Sequence, residues 1–426
     1  MATPFWYNAA LAIIKPLYQW RIKKRAQDVA AYQQECLERF GPFQSPKNLN
    51  TIWFHAVSVG ETNAAQPLIE HYLKLGHFVL VTNTTKTGQA RAKSLFNKAP
   101  YQALFQAVYL PADQKRLVQA FFQKYQPKIL ILVETELWPN LLDQAQAFKV
   151  PTILVNARLS AKSAQGYAKV SGLTQAMLKG LNQLLAQDAG TAERFIQLGA
   201  APSVTQVVGS IKFDIHAPEQ FVQQAIQLKH DWRLASRKII TIASTHAPEE
   251  QKLLSALQPY LQQHPELLCI VVPRHPERFD EVYQIAQNLN LQTSRRSQQQ
   301  PIQADTQVFL ADSMGELWLW YALSQVCFVG GSLNEPGGGH NILEPIALNV
   351  PTILGKNYFN FQTIVDEFVQ ADAVKVVDTA EQAATILMQL LENTEQAQQL
   401  NLAAQKIMQL NQGSLQKHIQ AIDGYL

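Results

Sequence analysis

The sequence predicts an α/β protein made of two parallel-sheet domains. Its 426 residues are too many for one ordinary hydrophobic core, so two domains are expected. From about residue 50 onwards, short apolar runs alternate with amphipathic helical stretches, a pattern typical of parallel strands covered by helices on both faces. The alternation starts again after a helical segment at residues 221–234. We therefore predict two successive sheets of the same kind.

The predicted strands are short apolar runs bounded by polar and turn-forming residues. In the first half they span residues 52–57, 78–82, 104–110, 129–133, 152–156, 183–186 and 204–208. In the second half they span residues 239–243, 268–272, 308–310, 325–329, 352–354 and 374–377. Ligands of such open sheets bind at the carboxyl ends of the strands. We therefore expect the functional residues just after strands, in a cleft that the two sheets face.

This pattern divides the chain into three segments. Residues 1–25 are predicted to form a membrane-associated helix, residues 26–215 the first domain and residues 216–426 the second. The hinge is expected near residues 210–218. The Ala- and Gln-rich helices at the end of the chain are predicted to return over the first domain.

The N-terminal segment suggests contact with a membrane. Residues 5–20 are mostly apolar and aromatic, and four of the next five residues are Arg or Lys. A secretory signal peptide carries its positive charges before the apolar stretch, whereas basic residues after it favour a cytoplasmic location for the remainder of the chain. The segment has roughly the minimum length for spanning a bilayer, and Lys15 and Pro16 interrupt it. An interfacial helix or a marginal signal anchor is therefore predicted, with a buried terminal helix as the alternative.

The overall composition excludes several classes of protein. The chain is 47% hydrophobic and 16% charged, so it is globular rather than disordered. A net charge of only +3 gives no reason to expect nucleic acid as a partner. Its three cysteines lie far apart and form no CxxC motif, which favours reduced thiols in a reducing compartment.

The first candidate residue follows the first predicted strand, in the sequence His-Ala-Val-Ser-Val-Gly-Glu at residues 55–61. Ser58 and Glu61 have the spacing of a capping box, which explains them as a helix start. The functional interpretation is that Gly60 permits close approach of a ligand while Glu61 acts as a base.

Three further motifs follow strands of the first half. Glu-Thr-Glu-Leu-Trp-Pro-Asn at residues 134–140 places two carboxylates after an apolar run, and buried carboxylates need partners. A solvated loop in which Thr135 caps the next helix explains only one of them. Residues 156–160 form either a surface turn or part of the cleft. Lys212, within residues 209–214 at the domain junction, is either solvated or within reach of an anionic ligand.

The second half contains basic and glycine-rich segments. Pro-Arg-His-Pro-Glu-Arg at residues 273–278 offers Arg274 and His275 as phosphate ligands, unless the segment is a simple turn. Ser-Met-Gly-Glu at residues 313–316 begins a predicted helix. The strongest local signal is the glycine-rich loop of residues 330–339, with Gly-Gly-Ser at residues 330–332 and three glycines at residues 337–339. With Asn341 at the cap, it predicts a helix start with free N–H groups directed at an anion. It has neither Walker nor dinucleotide-binding spacing, and a flexible turn is the alternative.

Together these motifs resemble those of the Kdo (3-deoxy-D-manno-octulosonic acid) transferases of lipopolysaccharide assembly. The segments that carry the resemblance are residues 55–61, 134–140, 156–160, 209–214, 273–279, 314–317, 339–344 and 360–361, in order over nearly the whole chain. The resemblance implies the GT-B fold, with two Rossmann-like domains facing a cleft. It also implies inverting transfer of Kdo from CMP-Kdo to a tetraacylated lipid A precursor, lipid IVA, at the cytoplasmic side of the inner membrane.

The resemblance further implies roles for individual residues. Glu61 matches the general base, and Glu134 and Lys212 match positions that stabilise the transition state. The residues that match CMP-contacting positions are Pro273, Arg274, Met314, Gly315, Glu316, Asn341, Ile342, Leu343 and Glu344. No two aspartates lie two residues apart, so the metal-binding Asp-x-Asp motif of one glycosyltransferase class is missing, and neither metal nor cofactor is expected. Residues 334–339 look one residue longer than the family's glycine stretch, which leaves the shape of this loop open.

Two other functions fit part of the pattern. A sugar-nucleotide epimerase would share the two domains but would leave the apolar N-terminal segment unexplained. A two-lobed solute-binding protein would need export, which the basic residues after that segment disfavour.

Overall fold

The structure is a computed structural model that describes residues 3–426, apart from the side chain of Thr363. The chain divides into two compact units, one made of Met1–Asp214 with Asn411–Leu426 and the other of Ile215–Leu410. Within the described residues, each unit contains a seven-stranded sheet in which neighbouring strands are parallel. The predicted α/β class with two parallel sheets is confirmed.

Strands and helices are numbered along the chain. The strands are β1 Ile52–His55, β2 Val79–Asn83, β3 Phe105–Tyr109, β4 Ile129–Val133, β5 Thr152–Ala157, β6 Gln183–Ala186, β7 Thr205–Val207, β8 Lys238–Thr245, β9 Leu267–Pro273, β10 Thr293–Arg295, β11 Val308–Leu310, β12 Val326–Val329, β13 Thr352–Gly355 and β14 Lys375–Val377. The helices are α1 Phe5–Arg25, α2 Val29–Phe40, α3 Val59–Lys74, α4 Lys86–Phe96, α5 Lys115–Tyr125, α6 Pro139–Ala147, α7 Ala161–Ala168, α8 Ser171–Leu178, α9 Ala189–Gln197, α10 Glu219–Asp231, α11 Glu249–Gln263, α12 Phe279–Asn288, α13 Leu317–Leu323, α14 Leu343–Ala347, α15 Gln362–Gln370, α16 Ala380–Glu392, α17 Thr394–Asn411 and α18 Ser414–Asp423.

The first sheet has the strand order β3-β2-β1-β4-β5-β6-β7. The chain forms β1 in the middle of the sheet, adds β2 and β3 on one side, and then adds β4 to β7 on the other side. The strand order therefore reverses between β1 and β4. These two strands are paired, with His55 opposite Leu132. The loops that follow them therefore emerge side by side at the position where open α/β sheets bind ligands.

The second sheet repeats this arrangement, with the order β10-β11-β9-β8-β12-β13-β14. Here the reversal lies between β8 and β12, which pair with Ala243 opposite Val329. On the other side of β8, Thr245 lies opposite Pro273 of β9. The loops after β8, β9 and β12 therefore begin beside one another.

Both faces of each sheet are buried, as the continuous apolar runs predict. In β4, Leu130 and Leu132 belong to one apolar cluster, whereas Ile129 and Ile131 belong to the cluster on the other face. Alternate side chains of a strand point to opposite faces, so a strand buried on both faces is apolar along most of its length.

Each predicted strand corresponds to an observed strand, with ends that differ by at most two residues. The first, for example, was predicted to reach residue 57 but ends at His55. The prediction missed β10, because its sequence Thr-Ser-Arg contains no apolar run. This short strand lies at the edge of the sheet and is paired with β11.

The N-terminal segment forms the continuous helix α1, even though Pro16 lies inside it. Its Ile22 is fully buried, whereas Phe5, Trp6 and Trp20 are 88%, 56% and 56% exposed. Among residues 3–426, no helix is both long enough and apolar enough to cross a membrane. The association of α1 with a membrane stays a prediction.

Candidate functional site

The first unit brings four of the predicted motifs to one edge of its sheet. They are residues 55–61, 134–140, 156–160 and 209–214. The first three lie at the carboxyl ends of the adjacent strands β1, β4 and β5. The fourth comes after β7 and is joined to them by Asn156, whose Oδ1 accepts from the Ser210 hydroxyl (3.3 Å) and the Ile211 N–H (3.2 Å).

Glu61 lies in the first turn of α3. Ser58 Oγ accepts from the Glu61 N–H (3.3 Å) and donates to Glu61 Oε1 (2.9 Å), while the Val57 N–H donates to Oε2 (2.6 Å). The predicted helix cap is confirmed, and it fixes the carboxylate beside the end of β1. Each carboxylate oxygen has a further lone pair, so the group can accept a proton without breaking these bonds.

The surroundings of Glu61 raise the pKa of its carboxyl to about 7. Burial is the largest cause, followed by the negative charge of Glu136. Hydrogen bonds from Val57 and Ser58 act in the opposite direction, and the charge of Glu134 adds a smaller increase. A carboxylate with a pKa near neutrality is suited to general-base catalysis at physiological pH.

Glu136 had no predicted role, although the sequence places two carboxylates in its loop. Its Oε2 accepts from the indole N–H of Trp138 (2.8 Å) and lies 3.6 Å from His55 Nε2. The His55 ring is fully buried, with Nδ1 2.9 Å from Thr82 Oγ1. These contacts hold the Glu136 charge where it acts on Glu61. The second carboxylate of the loop was the signal for this role.

Glu134 and Lys212, both predicted from the resemblance, form an ion pair with 2.7 Å between Oε1 and Nζ. Glu134 has a left-handed backbone (φ 63°), and Lys212 lies in the short 3-10 helix Ile211–Phe213. Lys212 is therefore neither free nor fully solvated, since its side chain is 27% exposed and paired. Thr135 does not cap a helix, because its hydroxyl donates to the carbonyl of Arg158.

Residues of α17 and α18 form hydrogen bonds to this edge. The Asn156 N–H donates to His418 Nε2 (3.0 Å), and His418 Nδ1 lies 2.7 Å from the Ser414 carbonyl, to which it donates. Burial lowers the pKa of His418 to about 4, so the ring is neutral at pH 7. Asn411 accepts from the Ser210 N–H (2.9 Å). The contacts of Asn156 and Ser210 with this segment could not be predicted from the sequence, because their partners lie more than 200 positions away and carry no local signal.

In the second unit, the buried carboxylate of Glu249 organises the glycine-rich loop. Its Oε2 accepts from the N–H groups of His246 (2.9 Å) and Gly331 (2.7 Å), and its Oε1 accepts from those of Ser332 (2.9 Å) and Leu333 (2.7 Å). The prediction that N–H groups of this loop are free for an anion is therefore wrong for these positions. A carboxylate of the protein already binds them.

The predicted cap at Asn341 is also displaced. The helix α14 is only five residues long, and Ile342, not Asn341, directly precedes it. The side chain of Asn341 still accepts from the Leu343 N–H (3.1 Å) and donates to Glu344 Oε1 (3.2 Å). Ile342 and Leu343 are buried, so only their backbone groups can contact a ligand.

Three histidines and an arginine converge where β8, β9 and the glycine-rich loop meet. His246 Nε2 and His340 Nε2 are 2.8 Å apart with the rings stacked, and the centroid of the His275 ring is 4.8 Å from that of His246. Burial, and then the neighbouring positive charges that include Arg274, lower the pKa of His340 to about 4, and the pKa of His246 is also lowered. Among residues 3–426, no three metal-binding side chains are grouped to hold an ion.

The remaining predicted residues lie at the carboxyl ends of β9 and its neighbour β11. Pro273 is the last residue of β9, and Met314 and Gly315 lie after β11, with Met314 59% exposed. Glu316 is paired with Arg296 through both carboxylate oxygens (2.8 and 3.1 Å). The sheet order therefore places this loop next to the segment that contains Arg274.

Comparison with known proteins first defines the class. The family model "Glycosyl transferases group 1" matches residues 222–407, so the second unit has the sequence pattern of a glycosyltransferase. The model "3-Deoxy-D-manno-octulosonic-acid transferase (kdotransferase)" matches residues 34–215.

Relatives over the full length then define the family. The 3-deoxy-D-manno-octulosonic acid transferase of Haemophilus influenzae is 35% identical over 99% of this chain and 98% of its own length. That of Bordetella pertussis is 34% identical over 99% of both chains. The chain belongs to the 3-deoxy-D-manno-octulosonic acid transferase family.

Two solved structures are similar to this chain. The C-terminal CMP-Kdo binding domain of WaaA from Acinetobacter baumannii is 63% identical and covers 45% of this chain and 100% of its own, with a TM-score of 0.45. A putative UDP-N-acetylglucosamine 2-epimerase from Listeria monocytogenes is 12% identical over 89% of this chain and 97% of its own, with a TM-score of 0.50. The predicted GT-B fold class is confirmed. The fold alone does not separate a transferase from an epimerase, but the family does.

Proposed function

We propose that the protein transfers Kdo from CMP-Kdo to lipid IVA in lipopolysaccharide synthesis, with inversion at the anomeric carbon. The observation that carries this proposal is the Glu61 carboxylate, which is fixed by two hydrogen bonds beside β1 and has a pKa of about 7. Membership of the transferase family supports the sugar and the reaction class.

The reaction is a single displacement. A hydroxyl oxygen of the acceptor forms a bond to the anomeric carbon of Kdo while the bond from that carbon to the CMP phosphate oxygen breaks. The hydroxyl proton moves to Glu61, and the electron pair of the broken bond leaves with CMP. Attack opposite the leaving group inverts the configuration, and the transition state resembles an oxocarbenium ion. General-base assistance of this kind supplies ~10²–10⁴-fold.

Lys212 is proposed to stabilise the transition state, with Glu134 holding its ammonium group in place. The 2.7 Å ion pair fixes a flexible side chain at the same edge as Glu61. A fixed positive charge stabilises negative charge that develops during the reaction, because it needs no reorganisation.

The donor is proposed to bind the second unit through the segments that resemble CMP contacts. Arg274 comes directly after β9 beside three histidines, and the Asn341 segment lies at the end of the glycine-rich loop. Arg274 can pair with the CMP phosphate, since guanidinium and phosphate groups form strong charge-assisted hydrogen bonds. The backbone of residues 341–344 and of residues 314–316 would contact the nucleotide.

A lipid acceptor requires access from a membrane, and we propose that α1 provides it at the cytoplasmic side of the inner membrane. Its exposed aromatic residues Phe5, Trp6 and Trp20 suit the headgroup region of a bilayer. Lys23 and Lys24 in its last turn would attract anionic lipids. In this arrangement α1 lies in the interface rather than crossing the membrane.

The proposal is tested by incubating the full chain with CMP-Kdo and lipid IVA and measuring lipid mass and released CMP. We expect the lipid to gain the mass of Kdo with one CMP released per sugar. Glu61→Gln should still bind CMP-Kdo but lose ~10²–10⁴-fold in transfer rate. A wild-type protein that leaves lipid IVA unchanged, or converts CMP-Kdo without an acceptor, would overturn the proposal.

A further inference from the structure

The first unit contains an apolar cavity of about 170 Å³ between α1, α2 and the segments after β3 and β4. Its wall includes Leu11, Ile14, Phe40, Leu110, Ala112 and Trp138. We call it the α1 cavity. The motifs that carry the proposed function leave this cavity without a role.

Two wall residues connect the α1 cavity to the carboxylates Glu61 and Glu136. Its wall residue Trp138 donates its indole N–H to Glu136, whose charge raises the pKa of Glu61. Another wall residue, Thr84, donates its backbone N–H to the Val57 carbonyl (3.3 Å), and the Val57 N–H in turn donates to Glu61. On each of these two sides, the cavity wall is therefore linked to the proposed base through one further residue, Glu136 or Val57.

The cavity is also continuous with the exposed apolar side of α1. Ile14, a wall residue, is 50% exposed, and Leu17 one turn further along α1 is 58% exposed. Two polar contacts fix this part of α1 to the unit. The Tyr7 hydroxyl donates to Asp113 Oδ2 (2.8 Å), and the Asn140 side-chain amide donates to Asn8 Oδ1 (3.0 Å). Because α1 is anchored in this way, the cavity is a fixed part of the unit.

The charges around the cavity are mostly satisfied within the protein. Arg39 lies in its wall but is paired with Glu35 (2.8 Å) and donates to the Thr84 carbonyl (2.6 Å). Asp113 accepts hydrogen bonds from the N–H groups of Asn140 and Leu141. An occupant would therefore meet an apolar wall instead of a free charge, apart from the ammonium group of Lys15.

We infer that the α1 cavity binds the distal carbons of a fatty acyl chain of the acceptor lipid. The inference rests on the proposed function and deepens it, since it assigns the feature that distinguishes an acylated acceptor from a bare sugar. An apolar cavity of about 150 Å³ holds a benzene molecule, so this cavity has room for roughly six chain carbons. Each buried methylene changes binding by about fourfold. The occupant is the acceptor itself, because the wall residues Trp138 and Thr84 are each linked through one residue to Glu61, which is proposed to take the proton of the acceptor hydroxyl.

The test compares acceptors and matched variants of α1. Leu11→Trp fills the cavity from the helix side, and Ala12→Trp adds an indole at the exposed neighbouring position, which does not line it. KM and kcat are measured with lipid IVA and with its deacylated disaccharide. The wild-type protein should show a KM at least tenfold lower for lipid IVA. Leu11→Trp should raise the KM for lipid IVA at least tenfold and leave that for the disaccharide unchanged, and Ala12→Trp should behave as wild type.

A second measurement keeps the inference testable if Leu11→Trp does not fold. Lipid IVA with a photoreactive group at the end of an acyl chain should label the α1 cavity of the wild-type protein, and unlabelled lipid IVA should compete. Labelling by a photoreactive phospholipid that lipid IVA does not displace would assign the cavity to bilayer lipid and overturn the inference. Equal KM values for both acceptors would also overturn it while leaving Kdo transfer intact. No transfer to either acceptor would overturn the proposed function itself.

Discussion

At the scale of single residues, the proposed base depends on three carboxylates placed close together. Burial is the largest cause of the increase in the pKa of Glu61, and Glu136 contributes the larger of the two electrostatic effects. Glu134 contributes less and is itself paired with Lys212. Glu134 is thus neutralised by Lys212, and Glu136 is held by Trp138. Glu61 is left to exchange a proton.

The first prediction concerns the pH dependence of transfer. Glu61 must be ionised to act as a base, so kcat/KM should fall tenfold per pH unit below the pKa of about 7. Glu136→Gln removes a neighbouring negative charge, which lowers the pKa of Glu61. The acidic limb of the pH profile of kcat/KM should therefore move to lower pH. Glu70→Gln, on the same helix but paired with Lys74 at its other end, is the control and should leave the limb in place. An unshifted limb in Glu136→Gln would contradict the prediction.

The second prediction separates a chemical role of Lys212 from a structural one. Lys212→Met keeps the length of the side chain but removes the charge, and kcat should fall ~10²-fold with little change in the KM for the donor. The variant also leaves Glu134 unpaired, so the double variant Glu134→Gln with Lys212→Met is measured alongside. If the double variant recovers normal kcat, the pair is structural and the proposed role is wrong.

At the scale of secondary-structure elements, the strands and the loops after them could be predicted from the sequence. A strand of a buried parallel sheet must be apolar on both faces, so runs such as Ile129–Val133 stand out from their surroundings. The position of Glu61 and Glu134 after such runs then predicted one shared edge. The observed sheet order confirms that edge for the first unit.

The features that could not be predicted depend on long-range contacts. Nothing near Glu249 in the sequence shows that its carboxylate binds the N–H groups of residues 331–333, more than 80 positions away. The same is true of the stacked pair formed by His246 and His340. The displaced cap at Asn341 has another cause, since glycine-rich backbone permits several turns and local spacing does not select among them.

The third prediction concerns the element that Glu249 organises. Glu249→Ala leaves four N–H groups without their acceptor, and those of Gly331 and Ser332 are buried. Hydrogen bonds to a charged group contribute ~1.5–3 kcal/mol each. The free energy of unfolding should fall by at least ~3 kcal/mol, measured by chemical denaturation. Glu249→Gln keeps one oxygen acceptor and should lose less. Wild-type stability in Glu249→Ala would show that the loop does not need this carboxylate.

At the scale of the whole molecule, the first unit is assembled from both ends of the chain. The segment Asn411–Leu426 belongs to it, although nearly 200 residues of the second unit intervene. In α18, Ile419 and Ile422 join an apolar cluster of the first sheet, and Asp423 accepts from the Tyr72 hydroxyl (3.0 Å). The proposed active-site edge is therefore completed by residues that follow the whole second unit in the sequence.

The last prediction concerns the histidine at this junction. His418 is neutral in the folded protein with a pKa of about 4, whereas an unfolded histidine has a pKa of about 6.5. Between these values the unfolded state binds a proton that the folded state does not, so stability is lost as the pH falls from about 6.5 to 4 and is unaffected above that window. At about 1.4 kcal/mol per unit, the loss is ~3 kcal/mol.

A matched variant separates the contribution of His418 to stability from that of groups that act in the opposite direction. Asp113 is one such group, because burial raises its pKa to about 7. His418→Gln can accept from the Asn156 N–H and donate to the Ser414 carbonyl but does not titrate. The difference in unfolding free energy between wild type and His418→Gln should therefore shrink as the pH falls from 6.5 to 4. His230→Gln, at an exposed position, should show no such change. A difference that stays constant would mean that His418 takes up its proton without disturbing the fold, and that α18 is not held to Asn156 through a neutral ring.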